Sequence, residues 1–540
     1  MVESNYKLLK TSVLYLLNQC KSMRKLKMIH AQILTSPQFS ETDRYFLTTR
    51  LLFYCAISDS GSLPYATKLF IHLERSNLYV YNALIRAYAT KSYSGQSMNS
   101  LTIYINMLRN GINPDKLTFP FILKYCSGRL DVLMGMAVYS HVVKFGLCYD
   151  VYIQNCMINL LCECGFLGCA HKVFDEMSKR DVVSWNSMIV GSLRNGEVDL
   201  ALSMFRSMSN RSIYTWNSMI TGLVQGGKPK VALELFLEMV MMNDGAVRPD
   251  KITFASVLSA CASLGAIHYG NWVCEYIKRS GLEIDMVTAT ALIDMYGKCG
   301  CVDKAIETFR GMPKKDVMAW TAMISVYALH GYGKEALNLL HEMKAHKLKP
   351  NNVTFVGILS ACAHAGLVEE GRQCFDMMTR IFSIEPCVYH YACMVDILSR
   401  AARFREAEKL IDDMAMEPDA YVWGALLGGC QTHKNVELGE KVALRLINLD
   451  PLNHAFYINL CDIYAKAGRF DDVKKVRKLM QEKGIMKDLP GSSMSEVDGV
   501  LHEISVRGSH ELVMDDVLGL LNRLHNDMKI CAGNDEAGSN

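Results

Sequence analysis

The chain has 540 residues, half of them hydrophobic and 21 % charged, with a formal net charge of +3. Its length exceeds what one hydrophobic core supports, and its near-neutral balance excludes a protein that grips a polyanion by phosphate attraction alone. No apolar run reaches the roughly 18 residues of a membrane-spanning helix. The 19 cysteines recur inside apolar segments, as Cys261 and Cys362 do in matching SACA contexts. They read as small buried side chains in a reducing compartment and not as a disulfide framework.

From the amino end, residues 1–30 are basic and amphipathic, but Glu3 comes early and a repeat-like pattern starts almost at once, so no separate transit peptide is readable. Self-comparison then finds repeats along the chain. VVSWNSMIVG (182–191), IYTWNSMITG (213–222) and VMAWTAMISV (317–326) are one set; KITFASVLSACASLG (251–265) and NVTFVGILSACAHAG (352–366) are another. VYIQNCMINLLCECG (151–165) matches MVTATALIDMYGKCG (286–300). Each copy predicts two helices. The first carries apolar residues at helical spacing, such as Trp185, Met188 and Ile189. A glycine turn follows (Gly196, Gly300, Gly366), then a second stripe such as Ala201, Phe205 and Met208. Units close with Pro114-Asp115, Pro249-Asp250 or Pro350-Asn351, where Pro stops a helix and Asp or Asn suits the turn. Two short amphipathic helices cannot bury their faces alone. The pattern therefore predicts an all-α fold, an α-solenoid superhelix of stacked helix–turn–helix repeats with a long concave surface.

The WN, SACA, YxKCG and PD signatures, with units of about 35, 35 and 31 residues, resemble the pentatricopeptide-repeat family. The specific likeness is to the plant organellar branch that mixes P, L and S repeats, and to its E/E+ subgroup. It spans about residues 10–510 and implies that the superhelix is right-handed. Tetratricopeptide repeats share the helix-pair logic but keep a period of about 34 residues and a different signature. In this register a degenerate L-like unit fills 1–44, starting at about residue 10, and the array fills 45–419: an S-like unit 45–77, then 78–115 (P), 116–150 (L), 151–181 (S), 182–212 (S-length), 213–250 (P), 251–285 (L), 286–316 (S), 317–351 (P), 352–387 (L) and 388–419 (S). Residues 420–453 and 454–488 resemble the two E motifs, and 489–540 a partial E+ region with a polar tail; Ser493 and Met494 stand where the E+ box has Ser-Trp.

The resemblance implies that one unit reads one base of single-stranded RNA through its fifth and last residues. It assigns uracil to Asn82 with Asp115, Asn155 with Asp181, and Asn217 with Asp250. It assigns guanine to Thr290 with Asp316, adenine to Thr321 with Asn351 and to Thr49 with Asn77, and a pyrimidine to Asn186 with Ser212. Pro120, Ala255, Val356 and Ala392 offer no polar pair, so the expected target is A-U-n-U-Y-U-n-G-A-n-n. Asn or Thr at a helix start is also a common cap and Asp after Pro a common turn residue; the two roles are compatible.

Hydrolytic cytidine deamination needs H-x-E followed by P-C-x-x-C around zinc. His502-Glu503 has the wrong spacing, and Cys162-x-Cys164 and Cys299-Gly-Cys301 have no second pair. GYGKEAL (331–337) and GGKPK (226–230) follow no strand and do not make a phosphate loop. KKVRKLM (474–480) is either a solvated helix face or a phosphate contact. The expectation is a non-enzymatic factor with no cofactor, metal or membrane. It would select a cytidine for C-to-U editing in organelle transcripts and recruit a deaminase in trans through the E region, the DYW deaminase domain of longer members being absent. The mitochondrion is favoured by family frequency, with the plastid as alternative. The rival readings are an RNA stabilisation or splicing factor and a protein-binding scaffold.

Overall fold

The computed structural model describes residues 2–20, 22–73, 75–90, 98–241, 247–485, 492–497 and 500–505. These hold twenty-eight helices, from α1 (Val2–Asn18) to α28 (Phe470–Glu482), followed by two strands. The helices come in pairs. First helices include α3 (Glu41–Ile57), α5 (Leu78–Thr90), α7 (Thr118–Ser127), α9 (Val151–Glu163), α11 (Val182–Arg194) and α13 (Ile213–Gln225). Further on they are α15 (Lys251–Leu264), α17 (Met286–Lys298), α19 (Val317–Leu329), α21 (Asn352–Ala365), α23 (Val388–Arg400), α25 (Ala420–Thr432) and α27 (His454–Lys466).

Local chemistry starts each pair. A residue with a side-chain oxygen ends the preceding unit and caps the next first helix: Asp150, Asp181, Ser212, Asp285, Asp316, Asn351 and Asp419 all accept from amides of the first turn. Each such cap contributes about 0.5–2 kcal/mol. The turn inside the pair needs a left-handed residue, supplied by Gly165 (φ 82°) and Gly300 (φ 79°) among others. Among the described residues Leu130, Ala402 and Lys434 put a side chain in such a turn, and Lys347 and Ser383 adopt the same conformation between units. Ala402 has φ 57°. Its Cβ is crowded in that conformation, so Ala402→Gly should raise stability by about 0.5–1 kcal/mol, part of the strain being offset by glycine's freer unfolded chain. A urea titration reads this as a higher midpoint with unchanged slope.

The chain divides into two compact units, Met1–Gly227 and Lys228–Asn540. Within the first, α1, α3, α5, α7, α9, α11 and α13 touch in an unbroken row, and each second helix packs on its own first helix and on the next one. The second unit repeats this from α15 to α25, and its last three pairs share one core around Val395, Leu426, Leu446 and Tyr457. Close approach requires glycine at matching places on second helices: a Cβ on Gly270 would sit 2.6 Å from Met295 Sδ, and one on Gly371 2.7 Å from Ile397 Cδ1.

Three junctions carry the same aromatic clamp. Phe205, in α12 (Val198–Ser207), meets Trp216 edge-on at 4.8 Å; Phe174 meets Trp185 and Phe309 meets Trp320, both at 5.0 Å. A cation closes each one. Arg211 lies 4.6 Å from the Phe205 ring while its Nε donates to the Phe205 carbonyl at 2.9 Å. Arg180 does the same at Phe174, and Lys315 covers Phe309.

The structure departs from the sequence reading in two places. Helix α3 begins at Glu41, capped by Ser40, so its unit starts before residue 45. The all-α expectation holds through residue 485, after which β1 (Ser492–Val497) and β2 (Val500–Ser505) pair antiparallel, Ser492 opposite Ser505. The polar tail after 505 lies outside the described residues. Among the described residues no helix is long and apolar enough to cross a membrane.

Candidate functional site

The fifth residue of a first helix and the cap of the next first helix are brought together. Asn82 Nδ2 donates to Asp115 Oδ1 at 3.0 Å, and Asn155 Nδ2 donates to Asp181 Oδ1 at 3.2 Å. The third residue of the following helix joins them. Thr118 Oγ1 donates to Asn82 Oδ1 at 2.7 Å and to Asp115 Oδ1 at 2.9 Å, and accepts from the Asp115 amide at 3.1 Å. Thr354 Oγ1 lies 2.8 Å from Thr321 Oγ1 and donates to Asn351 Oδ1 at 2.9 Å. Ser184 bonds Asp181 and Thr215 bonds Ser212, but neither hydroxyl reaches the oxygen of the fifth residue, Asn155 or Asn186.

Burial differs within each pair. Asn155, Asn186, Asn217 and Thr321 are nearly buried, whereas Asn82 and Thr290 are half-buried; the turn residues Asp115, Asp181, Ser212, Asp316 and Asn351 stay half-exposed or exposed. The fifth residue thus lies on the floor between neighbouring first helices, with the turn residue above it. Asn155 Oδ1 and Asn186 Oδ1 are buried without a hydrogen-bond partner. Burial acts to raise the Asp181 carboxyl pKa, but the Ser184 amide and hydroxyl and the Asn155 amide outweigh it and hold the pKa below its ordinary 3.8. The turn carboxylate is therefore an anionic acceptor near neutral pH.

Thr290 Oγ1 donates to the Met286 carbonyl at 2.8 Å, and Asp316 Oδ1 accepts from the Ala319 amide at 3.0 Å; Ala319 supplies no hydroxyl there. Asn217 lies in the first compact unit and Asp250 in the second, where it caps α15 with Thr253. Thr49 is a correction. With α3 starting at Glu41 it is not the fifth residue; it is buried in mid-helix and donates to the Phe46 carbonyl at 2.7 Å, while Asn77 caps α5 through the Val80 amide at 3.1 Å.

Sequence reasoning missed an exposed apolar row. In the eleven units from 78–115 to 420–453 the second residue is large, apolar and open to solvent: Tyr79, Leu117, Tyr152, Val183 and Tyr214 in one compact unit, and Ile252, Val287, Met318, Val353, Tyr389 and Tyr421 in the other. Positions 2 and 5 lie on one helix face, so each floor residue has an exposed hydrophobic neighbour one turn away. Exposed Arg86 and Lys124 follow a turn beyond residues 82 and 120, adding positive charge to the same face of the first compact unit. In contrast, Lys474 and Lys475 pair with Asp471 and Asp472 at 3.2 and 2.9 Å, a self-neutralised helix face.

Comparison with known proteins gives consistent matches. The PPR repeat model matches residues 155–182, 183–213, 287–317, 353–381 and 389–417. A PPR repeat family model matches 211–263 and 315–364, a pentatricopeptide repeat domain model 75–129, and an E motif model 433–496. The Arabidopsis thaliana pentatricopeptide repeat-containing protein CRR2, chloroplastic, is 36 % identical over 93 % of this chain and 71 % of its own length. Another from the same plant, described as chloroplastic/mitochondrial, is 38 % identical over 90 % of this chain and 72 % of its own. Among solved structures, the pentatricopeptide repeat protein PPR10 from maize is 18 % identical, covering 89 % of this chain and 84 % of that one, with a TM-score of 0.41. The same protein in complex with an 18-nt psaJ RNA element gives 17 % identity, coverage of 89 % and 83 %, and a TM-score of 0.43.

Proposed function

This chain belongs to the pentatricopeptide-repeat family, and on that premise we propose that it binds single-stranded RNA sequence-specifically in an organelle and selects a cytidine for C-to-U editing. One observation carries the reading: unit after unit sets an exposed apolar side chain beside a polar pair made of a fifth residue and a capping turn residue. The apolar residue gives a base a surface to lie on, and the pair meets the base edge.

The hydrogen bonds leave each pair a different free pattern. Asn351 uses Oδ1 as the cap acceptor, so Nδ2 is free to donate, and the Thr321 oxygen keeps an accepting lone pair. Donor plus acceptor matches N1 and the amino group of adenine. Thr290 has given its proton to the Met286 carbonyl and Asp316 is a carboxylate, so that pair offers two acceptors, matching the N1–H and amino group of guanine. Asp115 Oδ2 accepts while the second Asn82 Nδ2 proton donates, matching N3–H and O4 of uracil. The E motif match at 433–496 supports the further reading that this region docks a deaminase supplied by another chain.

Selection of the purified chain on random single-stranded RNA should enrich two stretches, U-n-U-Y from units 78–212 and G-A from units 286–351. Without a deaminase the bound RNA should keep its cytidines. Retention of all sequences with equal affinity removes the sequence-specific reading; deaminated product from the chain alone removes the non-catalytic one.

A further inference from the structure

Resting on the base-reading function above, we propose that the third residue of the following unit is a positioning residue for base choice where its hydroxyl reaches the fifth residue, so that the specificity of such a unit is set partly by its neighbour. Thr118 is the clearest case. Its single hydroxyl ties the Asn82 amide oxygen, the Asp115 carboxylate and the Asp115 backbone amide into one knot, at 2.7, 2.9 and 3.1 Å. The single hydroxyl proton is shared between Asn82 Oδ1 and Asp115 Oδ1, and a turned-over amide would set its oxygen against the Asp115 carboxylate, so Nδ2 is held toward Asp115 and Oδ1 toward Thr118. The face shown to a base is thereby one donor and one acceptor in fixed order. Thr118 itself is wholly buried, so it touches no base and acts only through the pair.

Thr354 works the same way on a different pair. It donates to Asn351 Oδ1 and accepts from the Asn351 amide, so the proton shared with Thr321 comes from Thr321. Thr321 therefore faces outward as an acceptor, as adenine's amino group requires. Where the neighbour supplies no hydroxyl, as at Ala319 behind Thr290 and Asp316, the two members make no hydrogen bond to each other among the described residues. That unit should discriminate less sharply than those ending at Asp115 and Asn351.

The test is binding of the full chain to four RNAs that differ only at the nucleotide assigned to Asn82, for the native protein and for Thr118→Val and Asn82→Ala. Valine keeps the shape and removes the hydroxyl. The expected result is a roughly tenfold loss of preference for uracil at that nucleotide in Thr118→Val, with preferences at all other nucleotides unchanged. Thr354→Val, read at the adenine position, gives the same pattern independently should Thr118→Val fold poorly. Equal weakening toward all four bases, the signature of a lost helix cap, overturns the proposal. So does full retention of uracil preference in Thr118→Val while Asn82→Ala loses it, an outcome that leaves base reading intact. If Asn82→Ala also changes nothing, base reading itself fails and the proposal goes with it.

Discussion

Thr290→Asn should leave the fold unchanged and move the preferred base at one RNA position from guanine to uracil. Thr290 is half-buried, and its hydroxyl holds nothing but the carbonyl one turn back in its own helix, so its loss disturbs no neighbour. Threonine and asparagine have similar helix propensities. An asparagine there reaches Asp316 from below as Asn82 reaches Asp115, and two acceptors become a donor beside an acceptor. A matched base contact is worth about 1–3 kcal/mol, so the swap should change the guanine-to-uracil preference by roughly five- to a hundredfold. Competition binding with RNAs differing at that nucleotide reads the effect. An unchanged preference for guanine, or a uniform loss for every base, would show that residue 290 caps and packs without reading.

The largest effect on stability is expected from Phe205→Ala. Phe205 is fully buried, meets Trp216 edge-on across the junction between two units, and lies beneath the Arg211 guanidinium. Truncation removes a ring from a core that cannot collapse to fill the space, at about 3–5 kcal/mol, and also loses an aromatic pair worth about 0.5–1.5 kcal/mol. In an array each unit leans only on its neighbours, so the junction between α11–α12 and α13 should open ahead of the rest. Urea unfolding of the variant should show a broadened transition with a smaller slope, and limited proteolysis should cut near Met208–Ser212. Phe205→Leu, which keeps most of the volume, should cost less than half as much. A single sharp transition at the native midpoint would mean that the clamp is decorative.

Much of this architecture was legible before any coordinates. Helix starts were marked by capping residues, the inner turns by Gly196, Gly300 and Gly366, and the core stripe by Ala201 and Phe205, because these signals are local and repeat at fixed spacing. The register failed at Thr49, where neither a WN nor a PD signature marks the boundary. The cap that does mark it, Ser40 with Asp43 three residues on, was present in the sequence but lay outside the repeat pattern. The apolar row from Tyr79 to Tyr421 was illegible for a different reason. In an apolar helix nothing in the letters separates a side chain that packs from one that faces water, and only neighbouring helices decide it. Strands β1 and β2 were illegible because neither segment alternates: Met494 and Val497 are three residues apart and Val500 and Leu501 are adjacent, so no period of two marks a strand.

Each turn residue belongs to one unit but starts the helix of the next, and this constrains how such an array can change its target. On the base-reading function proposed above, a residue at that position answers to two selections at once, recognition and helix initiation. Asp, Asn and Ser initiate helices about equally well, so exchanges among them alter recognition almost freely; an aliphatic residue there would cost about 1 kcal/mol before any RNA is met. The repertoire of readable bases is therefore bounded by the chemistry of helix ends. Cys387 marks the edge of that repertoire: its thiol is a poor acceptor for first-turn amides, while the buried ring of His390 accepts from the Cys387 amide at 3.1 Å, as the Thr118 hydroxyl does beside Asp115. A turn residue outside the Asp, Asn and Ser set brings no oxygen to the helix start nor, on the proposed reading, to a base edge.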